Sequence, residues 1–69
     1  MAKVKDAGAV ERMIRLSYPG IMEPKPFNFN ITKQGYTWIA KYSILSPLMG
    51  VEEHERHINA NTGEVKMIR

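Results

Sequence analysis

The 69-residue sequence contains no cysteine, so neither a disulfide nor a thiolate-bound metal can stabilise the fold. It also lacks any apolar run approaching the roughly 20 residues of a membrane-spanning helix. Residues 1–10 carry three charges without a following apolar stretch, unlike a secretory signal. These absences predict a single domain over residues 1–69, located in the cytoplasm without membrane contact, in which residues 1–4 are disordered.

A strong excess of charge of either sign is also missing, because ten basic residues stand against seven acidic ones and give a net charge of +3. The basic residues are scattered along the chain, so they attract anionic partners weakly and without specificity. We therefore predict that nucleic acid is not bound tightly. A weak nucleic-acid-binding domain is kept as the alternative function, because aromatic residues recur in the predicted sheet of a basic chain.

An amphipathic helix is predicted over residues 5–17, because apolar and charged side chains separate to opposite sides at about 100° per residue. Asp6 is the expected N-cap of this helix. Tyr18-Pro19-Gly20 ends it, since proline cannot continue the helical hydrogen bonds and restricts the residue before it. The side predicted to face the core carries Ala9, Val10, Met13, Ile14 and Leu16.

Apolar and polar residues alternate after residue 26, which is typical of strands that bury one face. Strands over residues 27–32 and 36–45 flank Gln34-Gly35, which we interpret as the two-residue loop of a hairpin. With that loop, every opposed pair falls on one face, and a slip by one residue would break the match. The predicted opposed pairs are Ile31 with Trp38, Phe29 with Ala40, and Phe27 with Tyr42.

Two further strands complete the predicted sheet. The third strand covers residues 51–60 and places Glu55 opposite Lys41 on the outer face, where opposite charges attract. Residues 61–64 form a four-residue loop, which leads into a fourth strand over residues 65–68. This loop pairs Ala60 with Val65 and Ile58 with Met67.

The predicted fold class is α+β, with one N-terminal amphipathic helix packed on a four-stranded antiparallel β-meander in the order α-β-β-β-β. One helix covers one face of a sheet, so the apolar face is expected to form the core and the polar face to meet water. The residues predicted to form the core are Val10, Met13, Ile14, Phe27, Phe29, Ile31, Trp38, Ala40, Ile58, Val65 and Met67.

Three segments carry a family resemblance. An amphipathic helix runs into Tyr18-Pro19-Gly20, a strand over residues 35–42 follows a glycine turn, and residues 58–65 close with a Thr-Gly-Glu-Val turn. Together they resemble the PepSY domain, a small module of the propeptides of thermolysin-type metallopeptidases and of other proteins. The resemblance covers residues 9–68, with Asn59 standing where the family usually has an acidic residue. It implies an interaction or inhibitory module without shared catalytic residues.

Residues 52–57 form the one cluster rich in acid–base and metal-ligating side chains. On a strand, His54 and His57 point to opposite faces, so they cannot share a metal ion. Glu53, Glu55 and His57 alternate on one face, which allows a carboxylate–histidine contact but indicates no nucleophile. We therefore predict no catalytic residue, no metal site and no cofactor.

The aromatic residues of the first two strands can be interpreted as a base-stacking platform or as core. The predicted register places them on the face that the helix covers, which favours the core. The set comprises Phe27, Phe29, Tyr36, Trp38 and Tyr42.

A protein partner, unknown from the sequence, is therefore the leading expectation. The strand over residues 27–32 carries no Lys, Arg or Glu, so its free edge is the predicted place for a second copy or another extended segment to add. A homodimer through this edge is one expected form. The candidate interaction residues lie on the outer sheet face and at a loop tip, and they are Asn28, Asn30, Lys41, Leu48, Met49, Glu53, Glu55 and His57.

Overall fold

The computed structural model describes residues 3–20 and 24–69, in which one helix precedes four strands. The strands form one antiparallel sheet in the order β1-β2-β3-β4, so the predicted α+β class and the order α-β-β-β-β are confirmed. Within these residues, no helix has both the length and the apolar character to cross a membrane. The elements are α1 (Ala7–Leu16), β1 (Phe27–Gln34), β2 (Thr37–Ser46), β3 (Gly50–Asn59) and β4 (Val65–Met67).

Helix α1 begins at Ala7, two residues later than the predicted range 5–17. Asp6 is its N-cap, as predicted, because the Asp6 carboxylate accepts a hydrogen bond from the Ala9 N–H at 2.8 Å. It buries Val10 and Ile14 completely. Leu16, which we assigned to the same side, is instead 75% exposed. At about 100° per residue, Leu16 lies roughly 200° around the helix from Ile14 and therefore points away from the sheet.

The hairpin of β1 and β2 keeps the predicted face but not the predicted register. Ile31 lies opposite Ala40, and Lys33 lies opposite Trp38, so the prediction is wrong by two residues. The loop is Gly35-Tyr36, and Gly35 has φ +60°. A two-residue loop with positive φ at its first position has to begin on the glycine, which the assignment of Gln34-Gly35 overlooked.

A β-bulge interrupts β1 at Asn28, which has φ +60°. The bulge puts Phe27 opposite Ser43 and exposes its ring, so the assignment of Phe27 to the core is wrong. One extra residue shifts the alternation of a strand and so moves the side chains beyond it to the other face. Phe29, on the near side of the bulge, stays partly buried and stacks on Tyr42 with 5.8 Å between ring centroids.

The pairing of β2 with β3 agrees with the sequence prediction. Trp38 lies opposite Ile58 on the covered face, and Lys41 lies opposite Glu55 on the open face. The strands stay in one continuous register from Thr37 and Asn59 at one end to the tight turn at the other. This hairpin forms the centre of the sheet.

Strand β4 is shifted by two residues from the prediction, because Ile58 pairs with Val65 and not with Met67. The Asn59 side-chain oxygen accepts the N–H groups of Asn61 at 2.8 Å and Thr62 at 3.0 Å, so the chain already turns before Asn61. Val65 and Met67 are both exposed, and their assignment to the core is wrong. The helix packs mainly on β1 and β2, which leaves the three-residue edge strand uncovered.

The N-terminal segment joins the core at Val4, so the predicted disorder over residues 1–4 is wrong at this residue. Val4 is buried, its N–H donates to the Ala60 carbonyl at 2.9 Å, and its carbonyl accepts the Trp38 indole N–H at 3.0 Å. Residues 1 and 2 lie outside the described residues. Trp38 is 9% exposed, which confirms its predicted burial. The buried apolar residues are Val4, Val10, Ile14, Trp38, Ala40, Tyr42, Ile44, Ile58 and Ala60.

Candidate interaction surface

The β2–β3 hairpin extends past its neighbours in the sheet. Strand β1 reaches no further along β2 than Ser43, and β4 pairs with β3 over residues 56–58, after which Arg69 bonds to Glu55. Strands of ten residues span about 33 Å. Within the described chain, no strand therefore flanks residues 44–54, which we call the hairpin end.

The hairpin end carries four apolar side chains that face water. Leu45 and Val51 lie opposite each other, and the tip adds Leu48 and Met49. These four side chains are 59–94% exposed. The turn that presents them is fixed by a hydrogen bond from the Met49 N–H to the Ser46 hydroxyl at 3.2 Å and by Gly50, whose φ is +78°. The predicted candidates Leu48 and Met49 thus lie on a larger apolar surface.

Leu45 and Val51 also belong to this surface, although they were not among the predicted interaction residues. Both occupy outward positions in the alternation of their strands, while Ile44, which precedes Leu45, is buried. The sequence signal that could have identified them is an apolar residue at an outward-facing position among polar ones, and both strands contain such a residue.

The edge of β3 is unpaired at the hairpin end. Further along the same edge, the Glu55 N–H donates to the Arg69 carbonyl at 3.0 Å, and the Asn59 N–H donates to the Glu64 carbonyl at 2.9 Å. The backbone groups of every second strand residue face the same neighbour. Those of Val51 and Glu53 therefore face this edge too, and no strand within residues 3–20 and 24–69 lies there to bond them.

The polar candidate residues lie together on the open sheet face, at a distance from Leu48 and Met49 at the tip of the hairpin end. Asn28, Asn30, Lys41 and Glu53 line a shallow depression of about 150 Å³ together with Arg69. Its neighbour of about 300 Å³ is lined by a second set that again includes Asn30 and Lys41. The second set adds Thr32, Gln34, Ile39, Glu55 and His57. Polar and charged side chains predominate in the lining of both depressions.

The predicted carboxylate–histidine contact is formed by Glu55 and His57, with the His57 Nε2 atom donating to the Glu55 Oε2 atom at 2.7 Å. This hydrogen bond is the main cause that holds the pKa of Glu55 below its ordinary value, and Lys41 across the strand pair acts in the same direction. The contact between Glu55 and His57 is therefore explained as a structural hydrogen bond on the open sheet face.

We expect the Glu55 carboxyl to titrate below the ordinary range of glutamate. The native state then binds this proton less tightly than the unfolded chain, so the contact stabilises the fold above the ordinary pKa. This stabilisation is lost as the pH falls through the lowered pKa of Glu55. Carboxyl-carbon NMR titration measures the midpoint, and His57→Ala should raise it. A midpoint that does not respond to His57→Ala would contradict the assigned cause.

His54 and His57 lie on opposite faces of β3, as the strand interpretation predicts. The His54 ring stacks on Tyr42 with centroids 5.8 Å apart, and its Nε2 atom lies 3.3 Å from a Glu52 carboxylate oxygen. In the described part of the chain, no three acidic or histidine side chains converge as a metal-binding group. The cluster over residues 52–57 is thus divided between two faces.

Arg56 connects the helix end to the covered sheet face. Its guanidinium donates to the Ser17 hydroxyl at 2.8 Å and lies 5.7 and 5.5 Å from the ring centroids of Tyr18 and Tyr42. Burial, reinforced by the Tyr18 hydroxyl, raises the pKa of Tyr42 to about 12. This network could not be predicted from the alternation of residues, because an inward arginine breaks the apolar pattern on which the core assignment depended.

The aromatic residues do not form an open stacking platform. Trp38 and Tyr42 are buried, Phe29 is partly buried, and the two exposed rings, Phe27 and Tyr36, lie at the two ends of β1. The described surface therefore offers a polar open face and an apolar hairpin end. Comparison of the chain with family models, with curated proteins and with solved structures finds no match.

Proposed function

We propose that this chain is a non-enzymatic protein-interaction module of the PepSY-like kind, acting in the cytoplasm through its hairpin end. The exposed apolar surface of Leu45, Leu48, Met49 and Val51 carries the proposal. Full burial of a side chain of this size contributes about 1.5–3 kcal/mol. A contiguous apolar surface that the fold itself leaves in water is characteristic of a contact site for another protein.

The PepSY-like part of the proposal is supported by the order of the elements and by the Thr-Gly-Glu-Val turn. Asn59 stands where the family usually has an acidic residue. Its side-chain oxygen accepts two backbone N–H groups at the start of that turn, and a carboxylate at this position can accept the same bonds. The difference at Asn59 thus preserves the turn-forming interaction.

Nucleic-acid binding, the alternative function, gains no specific support from the geometry. Stacking requires accessible aromatic rings, whereas Trp38 and Tyr42 lie in the core. The hairpin end also carries Glu52 and Glu53, whose charge repels phosphate.

Site-specific photo-crosslinking in the expressing cell tests the proposal. We expect a benzophenone amino acid at position 48 to give a protein adduct of one discrete mass, whereas the same group at exposed Thr32 should give none. An adduct of twice the chain mass would identify a second copy as the partner. The same adducts from positions 48 and 32, or none from either, would contradict a contact through the hairpin end.

A crosslinker at Val51 supplies the matched control. In the Leu48→Ser, Met49→Ser background we expect the Val51 adduct to disappear while the fold is kept. Both substituted side chains are exposed, so each change should alter the free energy of unfolding by no more than about 0.5 kcal/mol. An undiminished Val51 adduct would show that the contact does not depend on Leu48 and Met49.

A further inference from the structure

We infer that the free edge of β3 at Val51–Glu53 receives a cationic, extended segment of another protein as an added strand. This inference rests on the proposed function, because it names the chemistry of the partner at the hairpin end. The backbone N–H and C=O groups of Val51 and Glu53 face this edge and meet no strand in the described residues. Two residues of this kind offer four hydrogen bonds to an incoming strand.

The side chains beside this edge favour a basic partner. Glu52 and Glu53 place two adjacent carboxylates at this edge; the Glu52 carboxylate also lies 3.3 Å from His54, whereas Glu55 is already bonded to His57. The Glu53 side chain is 74% exposed, and its nearest cation, the Arg69 guanidinium, is 4.0 Å away. Exposed pairs of this length are worth at most about 1 kcal/mol, so Glu53 stays available to a second cation.

An added antiparallel strand places one residue opposite each residue of β3. Lysine or arginine is favoured opposite Glu52 and Glu53, because opposite charges attract across strands. An aliphatic residue is favoured opposite Val51, where Leu45 of β2 extends the apolar surface. The favoured segment therefore has two consecutive basic residues followed by an aliphatic one.

A second copy of the chain fits the same edge less well. Two-fold antiparallel pairing that bonds Val51 to Glu53 of the copy sets Glu52 against its own equivalent. Like charges directly opposite each other destabilise a strand pair. A foreign basic segment converts the same position into an attraction.

The β1 edge, which the sequence favoured for association, is also less suitable. As observed, β1 extends to Gln34 and includes Lys33, whose ammonium lies 5.3 Å from the Trp38 ring centroid on the covered face. The bulge at Asn28 interrupts the other end of the strand. Inward charges and bulges are the features by which edge strands resist pairing.

The test uses the ¹⁵N-labelled chain and an acetylated, amidated peptide of sequence TKKVT, whose lysines align with Glu53 and Glu52. We expect amide resonances of residues 50–54 to shift on titration, and the peptide TEEVT to bind about tenfold more weakly. Glu53→Pro should also weaken TKKVT about tenfold and leave the melting temperature unchanged. Proline is tolerated where the N–H faces the free edge.

N-methylated peptides separate strand addition from mere charge attraction. In TKKVT, the amides of the first lysine and of the valine would face β3, and the amide of the second lysine would face away. Methylation of either inward amide should abolish binding, whereas methylation of the outward amide should change the affinity by less than about threefold. Equal tolerance of all three methyl groups would overturn the inference.

Two further outcomes also decide the matter. Amide shifts over residues 50–54 that depend on protein concentration without peptide would assign the edge to a second copy and overturn the inference. Failure of TKKVT to bind, with the position-48 adduct still present, would overturn strand addition and leave the proposed function standing. Absence of both signals would remove both proposals.

Discussion

Trp38→Ala is expected to lower the free energy of unfolding by about 3–5 kcal/mol. The indole is 9% exposed between the helix and the centre of the sheet, so its removal leaves a cavity. The substitution also leaves the buried Val4 carbonyl without its indole donor. A chain of this length has a total stability of roughly 3–10 kcal/mol, so urea unfolding followed by circular dichroism should show the loss of a large part of it.

Trp38→Phe separates the packing of the indole from its hydrogen bond. It retains an aromatic ring but removes the N–H donor, and we expect a smaller loss of about 1–3 kcal/mol. Amide exchange at Val4 should accelerate in Trp38→Phe, because the segment loses one of its two anchors. The described packing would be contradicted by two results together: unchanged amide exchange at Val4 in Trp38→Phe, and a loss of unfolding free energy below about 1 kcal/mol in Trp38→Ala.

Ile14→Ala is expected to destabilise the fold by about 2–5 kcal/mol, because Ile14 is fully buried where α1 meets the sheet. Leu16→Ala, on the same helix, is the matched control. Its side chain is exposed and the substitution keeps helix propensity, so we expect a change within about 0.5 kcal/mol.

Thermal and urea unfolding of the Ile14→Ala and Leu16→Ala variants measure this difference directly. Comparable losses in the two would mean that Leu16 packs in solution. Such a result would restore the broader apolar helix side that the sequence predicts.

The alternation of apolar residues predicted which face of each central strand is covered, because side chains alternate strictly along a strand. It could not determine the register of β1, since a shift of two residues leaves Phe29 and Ile31 on the same face. Only the conformation of Gly35 distinguishes the two registers. The bulge at Asn28 had no counterpart in the alternation and therefore misplaced Phe27.

The candidate surface was partly predictable for a related reason. Leu48 and Met49 stand in a turn, where burial is rare, so their exposure follows from local sequence. The unpaired edge at Val51 and Glu53 depends on where β4 ends along β3. The loop after Asn59 sets the register of β4 on β3, and the Asn59 side-chain hydrogen bonds fix an earlier turn than the residue types alone suggest.

The Val4–Ala60 hydrogen bond has a consequence for the order of folding. Each pair of neighbouring strands closes through a short connection, which costs little chain entropy and favours rapid formation. Val4 instead bonds near the far end of the chain and needs Trp38 and Ala60 already in place. We expect this segment to dock after the rate-limiting step, so that stopped-flow kinetics of Val4→Ala show faster unfolding and an almost unchanged folding rate. Docking of Val4 on Ala60 would then be a late folding step that slows the unfolding of the native state.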